Sequence, residues 1–418
     1  MKKLKNILIS LISLLVFLYI ALAILYQTNP KDYFELSYKI FKSLPDKYQV
    51  GIKLFKDENY INNFNNDYNT KHLPETQFLN LKFEKIKLNF VSNSKTKYLK
   101  NLNQKQTFFI DLFENNLLIT DSKGNIFLIN EEDIKKKKIK QTKIDNNLKL
   151  NYVLDALIYE NKFFVSFTDE KNNCETMNVA FAEVNYKFLN FKNLLTSSEC
   201  GKNIQGGRMQ RYKFLNKEGI LLTTGDNISD LPSFNAQDEG SIFGKILFIS
   251  LEKKSLSIFS NGHRNPQGLI VKDKIILSTE HGPKGGDEIN RIIYGKNYGW
   301  PIANYGESYA NENLTYKKSH KQNNFEEPIF SYIPSIGISE IISIPNSFSN
   351  KWQNNFLISS LNGKSLFRVQ FNTNFSKLMY QEKIFIGQRI RDMKFNEKLN
   401  SIILSLEDGG EFGIISIQ

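Results

Sequence analysis

One short unit recurs six times along this chain, and it constrains the fold more than any other feature. An apolar segment leads into a turn containing Asn, Lys or Gly. A second apolar segment follows and ends near a Ser, Thr or Asp. The copies are Phe109–Leu112 with Leu117–Thr120, Val153–Tyr159 with Phe163–Phe167, Tyr212–Leu215 with Ile220–Thr224, Gly268–Val271 with Ile275–Thr279, Ile338–Ile344 with Phe356–Ser360, and Ile390–Phe395 with Ile402–Leu406. They are spaced by roughly 45 to 70 residues, near or above the blade period of a propeller. A hairpin of this size cannot bury its own apolar face, so radial packing of six copies is the natural solution. Periodicity alone also leaves open a β-sandwich of regular hairpins.

The N-terminus differs. Lys2, Lys3 and Lys5 precede an uncharged apolar run from Ile7 to Tyr26, about the 20 residues needed to cross a bilayer as a helix. The lysines predict a cytoplasmic N-terminus and an exported remainder. The expectation is therefore a transmembrane anchor over residues 1–28, with a cleaved signal peptide as the alternative. Residues 29–82 read as a connecting segment, partly helical, because Tyr33, Phe34, Leu36, Ile40 and Phe41 fall at roughly helical spacing. Residues 83–418 would form the propeller. The expected fold class is all-β, a six-bladed propeller preceded by that helix, with the domain periplasmic or at the cell surface.

The formal net charge is +12, which can indicate a nucleic-acid or anionic-membrane partner. Here the lysines are scattered among asparagines, and the densest run, Lys135 to Lys138, lies between two strand-like segments. That pattern reads as a solvated loop rather than a nucleic-acid footprint. Two cysteines, Cys174 and Cys200, are too few for a disulfide scaffold. Whether they pair depends on geometry that sequence does not carry.

The most specific stretch runs from Asn261 to Pro301. It holds Gly262-His263-Arg264-Asn265-Pro266-Gln267-Gly268-Leu269, then Glu280-His281-Gly282-Pro283-Lys284-Gly285-Gly286-Asp287-Glu288-Ile289-Asn290, and closes with Gly295-Lys296-Asn297-Tyr298-Gly299-Trp300-Pro301. This block resembles the soluble quinoprotein glucose/sorbosone dehydrogenase family, which includes the aldose sugar dehydrogenases. Weaker matches are Gly206-Gly207-Arg208 with Thr224-Gly225-Asp226, Pro334-Ser335-Ile336, Leu361 to Leu366, and Arg389-Ile390-Arg391-Asp392 with Asp408-Gly409-Gly410. The resemblance extends from about residue 85 to the C-terminus.

It implies a six-bladed propeller that binds pyrroloquinoline quinone (PQQ) and calcium and oxidises a sugar or polyol. PQQ is a planar tricarboxylate, and the planar fork of arginine suits carboxylates. By resemblance, Arg264, Asn265, Arg389 and Arg391 would face it, with Arg208 a further candidate. Arg389 and Arg391 alternate along a strand and so share a face. Gly282 and Pro283 would lend carbonyls to a calcium, an oxygen-seeking ion, that polarises the quinone as a Lewis acid. Glu288 and Tyr298 match a second, structural calcium position. His263 reads as a structural residue at a blade start and His281 as a shaper of the calcium-side loop; His72 and His320 lie outside every motif.

One departure bears on catalysis. The family's base is a histidine just ahead of the Gly-Gly-Arg segment, and aligning on Gly207-Arg208 places Ile204 there. Neither Asn203 nor Gln205 titrates usefully near neutral pH. Asp226 is the conceivable substitute, and a lysine that reaches the cofactor in some members corresponds to Asn362 here. Three functions therefore compete: a sugar dehydrogenase with impaired or altered catalysis passing electrons to a membrane acceptor, a catalytically inactive module that binds a ligand or protein, and a structural envelope platform. Fold alone does not choose among them.

Overall fold

In the computed structural model the described residues are 79–88, 107–171, 174–226, 234–309 and 315–418, together with Thr28. Apart from Thr28 they all belong to the compact unit Lys71–Gln418. They form six sheets, antiparallel apart from one short pairing, and each recurring hairpin of the sequence supplies the two innermost strands of one sheet. The inner strands, one per blade in chain order, are Phe108–Phe113, Tyr152–Tyr159, Gly206–Phe214, Pro266–Lys272, Ile338–Ser343 and Ile390–Asn396. Each touches the next and the first touches the last, so they close a ring. This is a six-bladed β-propeller.

The ring is fastened by a strand from ahead of the first blade. Leu81–Lys87 pairs antiparallel with Glu411–Ile417, Leu81 opposite Ile417 and Lys87 opposite Glu411, and completes blade 6. Blade 1 is extended from blade 2: Phe188–Leu189 adds a short parallel pairing to Gln141–Asn146. On the outer side of blade 2, Cys174 and Cys200 form a disulfide.

Burial follows the layering. The second strands Asn116–Asp121, Asn355–Ser360 and Ser401–Leu406 are buried at every residue, because a neighbouring blade covers each of their faces. Their sequences accordingly lack a strict apolar–polar alternation. The outermost strand Leu378–Phe385 alternates, with one face on the core and one in water. The apolar clusters lie between blades: one joins Leu118, Val153, Phe163 and Val165, another Leu221, Phe248, Phe259, Leu269 and Ile276.

The expected membrane anchor is not among the described residues. Among the described residues no helix is long and apolar enough to cross a membrane, and the run Ile7–Tyr26 on which that expectation rested lies outside the described residues. The fold class is corrected to a six-bladed propeller with no transmembrane helix among the described residues. The membrane partner, the membrane electron acceptor and the extracytoplasmic placement rested on that anchor, and no helix among the described residues supports them. The helical connecting segment expected over 29–82 also lies outside the described residues, except that its last part, Leu79 to Lys82, leads into and begins the closing strand.

Candidate functional site

All six inner strands run in the same direction, so their first residues gather at one end of the ring. The second strands run back, so residues that follow them arrive at the same end. Two groups of charged side chains meet there, one on the ring axis and one at the mouth above it.

The axial group centres on Arg208, which is 2 % exposed. Its Nη1 lies 3.1 Å from Asp155, 3.0 Å from Glu340 and 3.1 Å from Asp392. Its Nε donates to the Gln267 carbonyl at 2.6 Å and its Nη2 to the Arg391 carbonyl at 2.7 Å. The guanidinium sits 5.1 Å from the centre of the Phe109 ring. One side chain of blade 3 thus contacts every other blade. Gly207 makes the approach possible: its φ is +91°, and a Cβ there would lie 2.2 Å from Leu154. The acids also bind backbone, Asp155 accepting from Met209 N and Asp392 from Ile110 N, each at 2.8 Å. Burial raises Asp155 to about 6 and Glu340 to about 7 against the pull of Arg208. Several acids share few cations here, so the group holds protons that a lone exposed carboxylate would release.

The mouth is organised by Glu407, 1 % exposed, at the end of the second strand of blade 6. Its two oxygens accept from Arg389 Nε at 3.0 Å and Arg391 Nε at 2.7 Å, and Thr107 adds a hydroxyl donor at 3.0 Å. Burial opposes the charge, but the two arginines outweigh it and hold Glu407 down at about 2. An amide chain runs from Arg391 across blade 4: Arg391 Nη1 donates to Gln267 at 2.8 Å, Gln267 to Asn265 at 2.7 Å, and Asn265 to Gln205. Gln267 and Arg391 therefore serve both groups, the axis through their carbonyls and the mouth through their side chains.

Arg264 completes the mouth. Its Nη1 donates to the carbonyls of His281 at 3.1 Å and Gly282 at 2.8 Å, and its guanidinium lies 5.2 Å from the Trp300 ring centre. Its Nε is buried without a hydrogen-bond partner. Burial pushes His281 down to about 4; Arg391, Arg264 and Arg389 act in the same direction and Asp287 against it. The loop after Glu280 folds back tightly: a Cβ at Gly286, whose φ is +73°, would lie 2.4 Å from Gly306 N.

The residues singled out from sequence thus divide. Arg264, Asn265, Arg389 and Arg391 meet at the mouth, whereas Arg208 lies on the axis with its nitrogens committed to acids and carbonyls. Gly282 turns its carbonyl to Arg264, so a calcium held there would compete with a guanidinium for that oxygen. Tyr298 is buried with its hydroxyl committed to Arg291 O and Ile293 N. Glu288 is buried beside Asn290, Asn304 and His320. Ile204 is 5 % exposed and packs with Met177, Leu194, Met209 and Phe243 in the apolar cluster between blades 2 and 3. Asp226 accepts from the Trp300 indole at 2.7 Å. Sequence reasoning missed Glu407, Gln205 and Gln267 at the mouth and the axial acids altogether. The acids did leave a signal: Asp155, Glu340 and Asp392 each interrupt an apolar inner strand.

Fold and site together define a six-bladed propeller with arginines gathered around a polar mouth at one end of its ring. A sequence model described as "Glucose / Sorbosone dehydrogenase" matches residues 107–414, and the chain belongs to that family. Over 178 residues it is 32 % identical to the aldose sugar dehydrogenase YliI of Escherichia coli, a match covering 42 % of this chain and 47 % of that protein. The chain thus spans about half the length of this relative. Its fold matches the crystal structure of the soluble aldose sugar dehydrogenase from Escherichia coli in the apo form, with TM-score 0.63 and 21 % identity over 74 % of this chain and 95 % of that one. It also matches the PQQ-bound aldose sugar dehydrogenase from Streptomyces coelicolor, with TM-score 0.55 and 17 % identity over 81 % and 99 %.

Proposed function

We propose that the mouth binds PQQ and that the chain is a PQQ- and calcium-dependent sugar or polyol dehydrogenase with altered catalysis. The observation that carries the binding is the state of the arginines. Arg264 Nε is buried and lacks an acceptor, an arrangement costing roughly 1–3 kcal/mol unless a ligand supplies one. Arg389 and Arg391 are gripped by their Nε atoms, which orients their terminal nitrogens without saturating them all. The guanidinium groups of Arg264, Arg389 and Arg391, with Glu407 holding two of them from behind, suit a tricarboxylate. PQQ supplies the two-electron acceptor; the chain binds and orients it, and Asn265 and Gln267 fix its polar edge.

Catalysis is the weaker half. General base catalysis typically contributes about 10²–10⁴-fold. Ile204 occupies the expected base position and packs in an apolar cluster, and Asp226 is tied to Trp300. These observations favour a second reading, a propeller that holds the cofactor or another anionic ligand without turning substrate over. Two measurements separate them: binding of PQQ with Ca²⁺ followed by quinone absorbance, and dye reduction with a panel of aldoses. Saturable binding with turnover supports the dehydrogenase, and binding without turnover the inactive module. Absence of binding removes the quinoprotein reading. Replacing Ile204 with His should raise turnover by about 10²-fold or more if the missing base is the limit.

A further inference from the structure

The disulfide of blade 2 stands at the same end of the ring as the mouth. Cys174 opens the third strand of that blade, Cys174–Glu183, and Cys200 is the last residue but one of the fourth, Lys192–Gly201. Third strands begin, and fourth strands finish, where the inner strands begin. Five residues beyond Cys200 comes Gln205. Its side chain accepts from Asn265 at the mouth, and its carbonyl accepts from Gly225 N at 2.8 Å. The cross-link therefore fastens a segment, residues 199–205, that delivers a mouth residue.

Pairing at this end of the sheet is short. The fourth strand slips against the third between Thr196 and Cys200, and beyond the slip only Cys200 opposite Thr176 and Gly201 opposite Glu175 pair. The neighbours of the two cysteines add ties that depend on the same register. Glu175 accepts from Ile204 N at 3.2 Å, and Glu199 accepts from Ser241 Oγ at 2.8 Å and Ile242 N at 2.9 Å. Asn203 holds a left-handed φ of +61°, a conformation that persists in a non-glycine residue where the surroundings fix it. Cys200 is exposed and Cys174 half-buried. Exposed disulfides are the labile and regulatory ones, because an attacking thiolate must reach a sulfur.

We propose that the Cys174–Cys200 disulfide is a reversible redox switch, opened by a dithiol reductant, that sets how firmly residues 199–205 present Gln205 to the mouth. A thiolate of the reductant attacks one sulfur, and a mixed disulfide forms. The reductant's second thiol then resolves it. The protein S–S bond takes up two electrons and two protons, and the reductant is oxidised to its own disulfide. The two cysteines are 26 residues apart in sequence, so opening the bond returns conformational freedom to a long stretch of chain. The two pairs beyond the slip and the turn at Asn203 loosen first, and Gln205 loses its fixed place against Asn265. The effect on a ligand rests on the reading of the mouth as a PQQ site; the release of the segment does not.

The test compares the full chain oxidised and reduced with dithiothreitol, the reductant being removed before PQQ and Ca²⁺ are added. On reduction, hydrogen exchange at the amides of Ile204 and Gly225 should quicken by about tenfold or more, within what a cross-link of this span imposes on an opened segment. Exchange in the blade 5 strand Asn355–Ser360 should stay as it was. The Kd for PQQ should rise by about tenfold, the worth of one hydrogen bond at the upper end of its range. Reoxidation should restore both. The double variant Cys174→Ser, Cys200→Ser should match the reduced chain, with no thiol present to add to the quinone. The proposal is overturned if exchange at Ile204 and Gly225 is the same in both forms, or if it quickens there while the Kd stays constant. It is also overturned if Asn355–Ser360 quickens equally, which would make the disulfide a staple of the whole fold. If neither form binds PQQ, the cofactor reading fails, and exchange at Gly225, the amide that Gln205 holds, alone decides the switch.

Discussion

Arg208 on the axis and the arginines at the mouth do opposite work. Arg208 faces three carboxylates within 3.1 Å and donates to two backbone carbonyls. Arg389 and Arg391 share one carboxylate between them. An arginine surrounded by acids is a structural tie; one held from behind by a shared acid keeps part of its fork for something else. The ratio of acids to cations within reach, more than the residue type, decides whether a guanidinium holds blades together or offers itself to a ligand.

The sharpest way to break this comparison is to exchange the outcomes. Replacing Arg208 with Met leaves Asp155, Glu340 and Asp392 buried beside an apolar chain. Removing one partner of a buried ion pair costs roughly 3–5 kcal/mol, a large share of an ordinary domain's stability. The chain should lose that much stability or fail to fold, as read by urea unfolding. A loss under about 1 kcal/mol would mean that the axial acids are protonated or hydrated and that the tie is weak.

The double replacement of Arg389 and Arg391 by Gln should act on the ligand as well as on the fold. It leaves Glu407, 1 % exposed, buried without a cation, so unfolding should shift by roughly 3 kcal/mol, the cost of stranding a buried charge. Affinity for PQQ should fall by about 10²-fold or more, since charge-assisted bonds of the bidentate kind are lost. Unchanged affinity would place the anionic ligand elsewhere. Glu407→Gln probes the grip itself. It leaves both arginines present but misaligned, so affinity should drop by about tenfold, the size of one charge-assisted hydrogen bond. A Glu407→Asp variant should recover only part of it, because its shorter chain cannot reach both Nε atoms equally.

How far the sequence was legible follows the same division. The hairpins could be read because each buries a continuous apolar run between blades, and periodicity records burial. The closing strand Leu81–Lys87 could not, because it pairs with residues more than 300 positions away and long-range pairing leaves no local mark. At the mouth, Arg264, Asn265, Arg389 and Arg391 were found through their motifs. Glu407 was overlooked although it immediately precedes Asp408-Gly409-Gly410, because a lone acid at a strand end looks like a solvated turn. Arg208 was taken as a further cofactor contact, and the fold places its guanidinium among Asp155, Glu340 and Asp392. Its partners come from blades 2, 5 and 6, and no spacing in the chain reveals that they converge.

The smallest expected effect is in pH dependence, where the two groups should oppose one another. Asp155 and Glu340 titrate in the fold at about 6 and about 7, above their ordinary values of 3.8 and 4.5. The folded chain therefore holds more protons than the unfolded one between about pH 4 and 7. Stability from this source is full below that window and declines as pH rises through it. Glu407 titrates at about 2, below its ordinary 4.5. Its contribution is full above pH 4.5 and is lost as pH falls toward 2. The two limbs should leave a stability maximum near pH 4–5. The decline toward neutrality should be on the order of 1 kcal/mol, because Asp155 and Glu340 share the same arginine and cannot be counted separately. Melting temperatures between pH 3 and 8 would show it, and Glu340→Gln should flatten the neutral limb while leaving the acid limb in place. If stability instead climbs from pH 4.5 to 7 and Glu340→Gln has no effect, the axial carboxylates are ionised throughout. Arg208 would then be tying charges rather than shared protons, and the contrast between axis and mouth would rest on geometry alone.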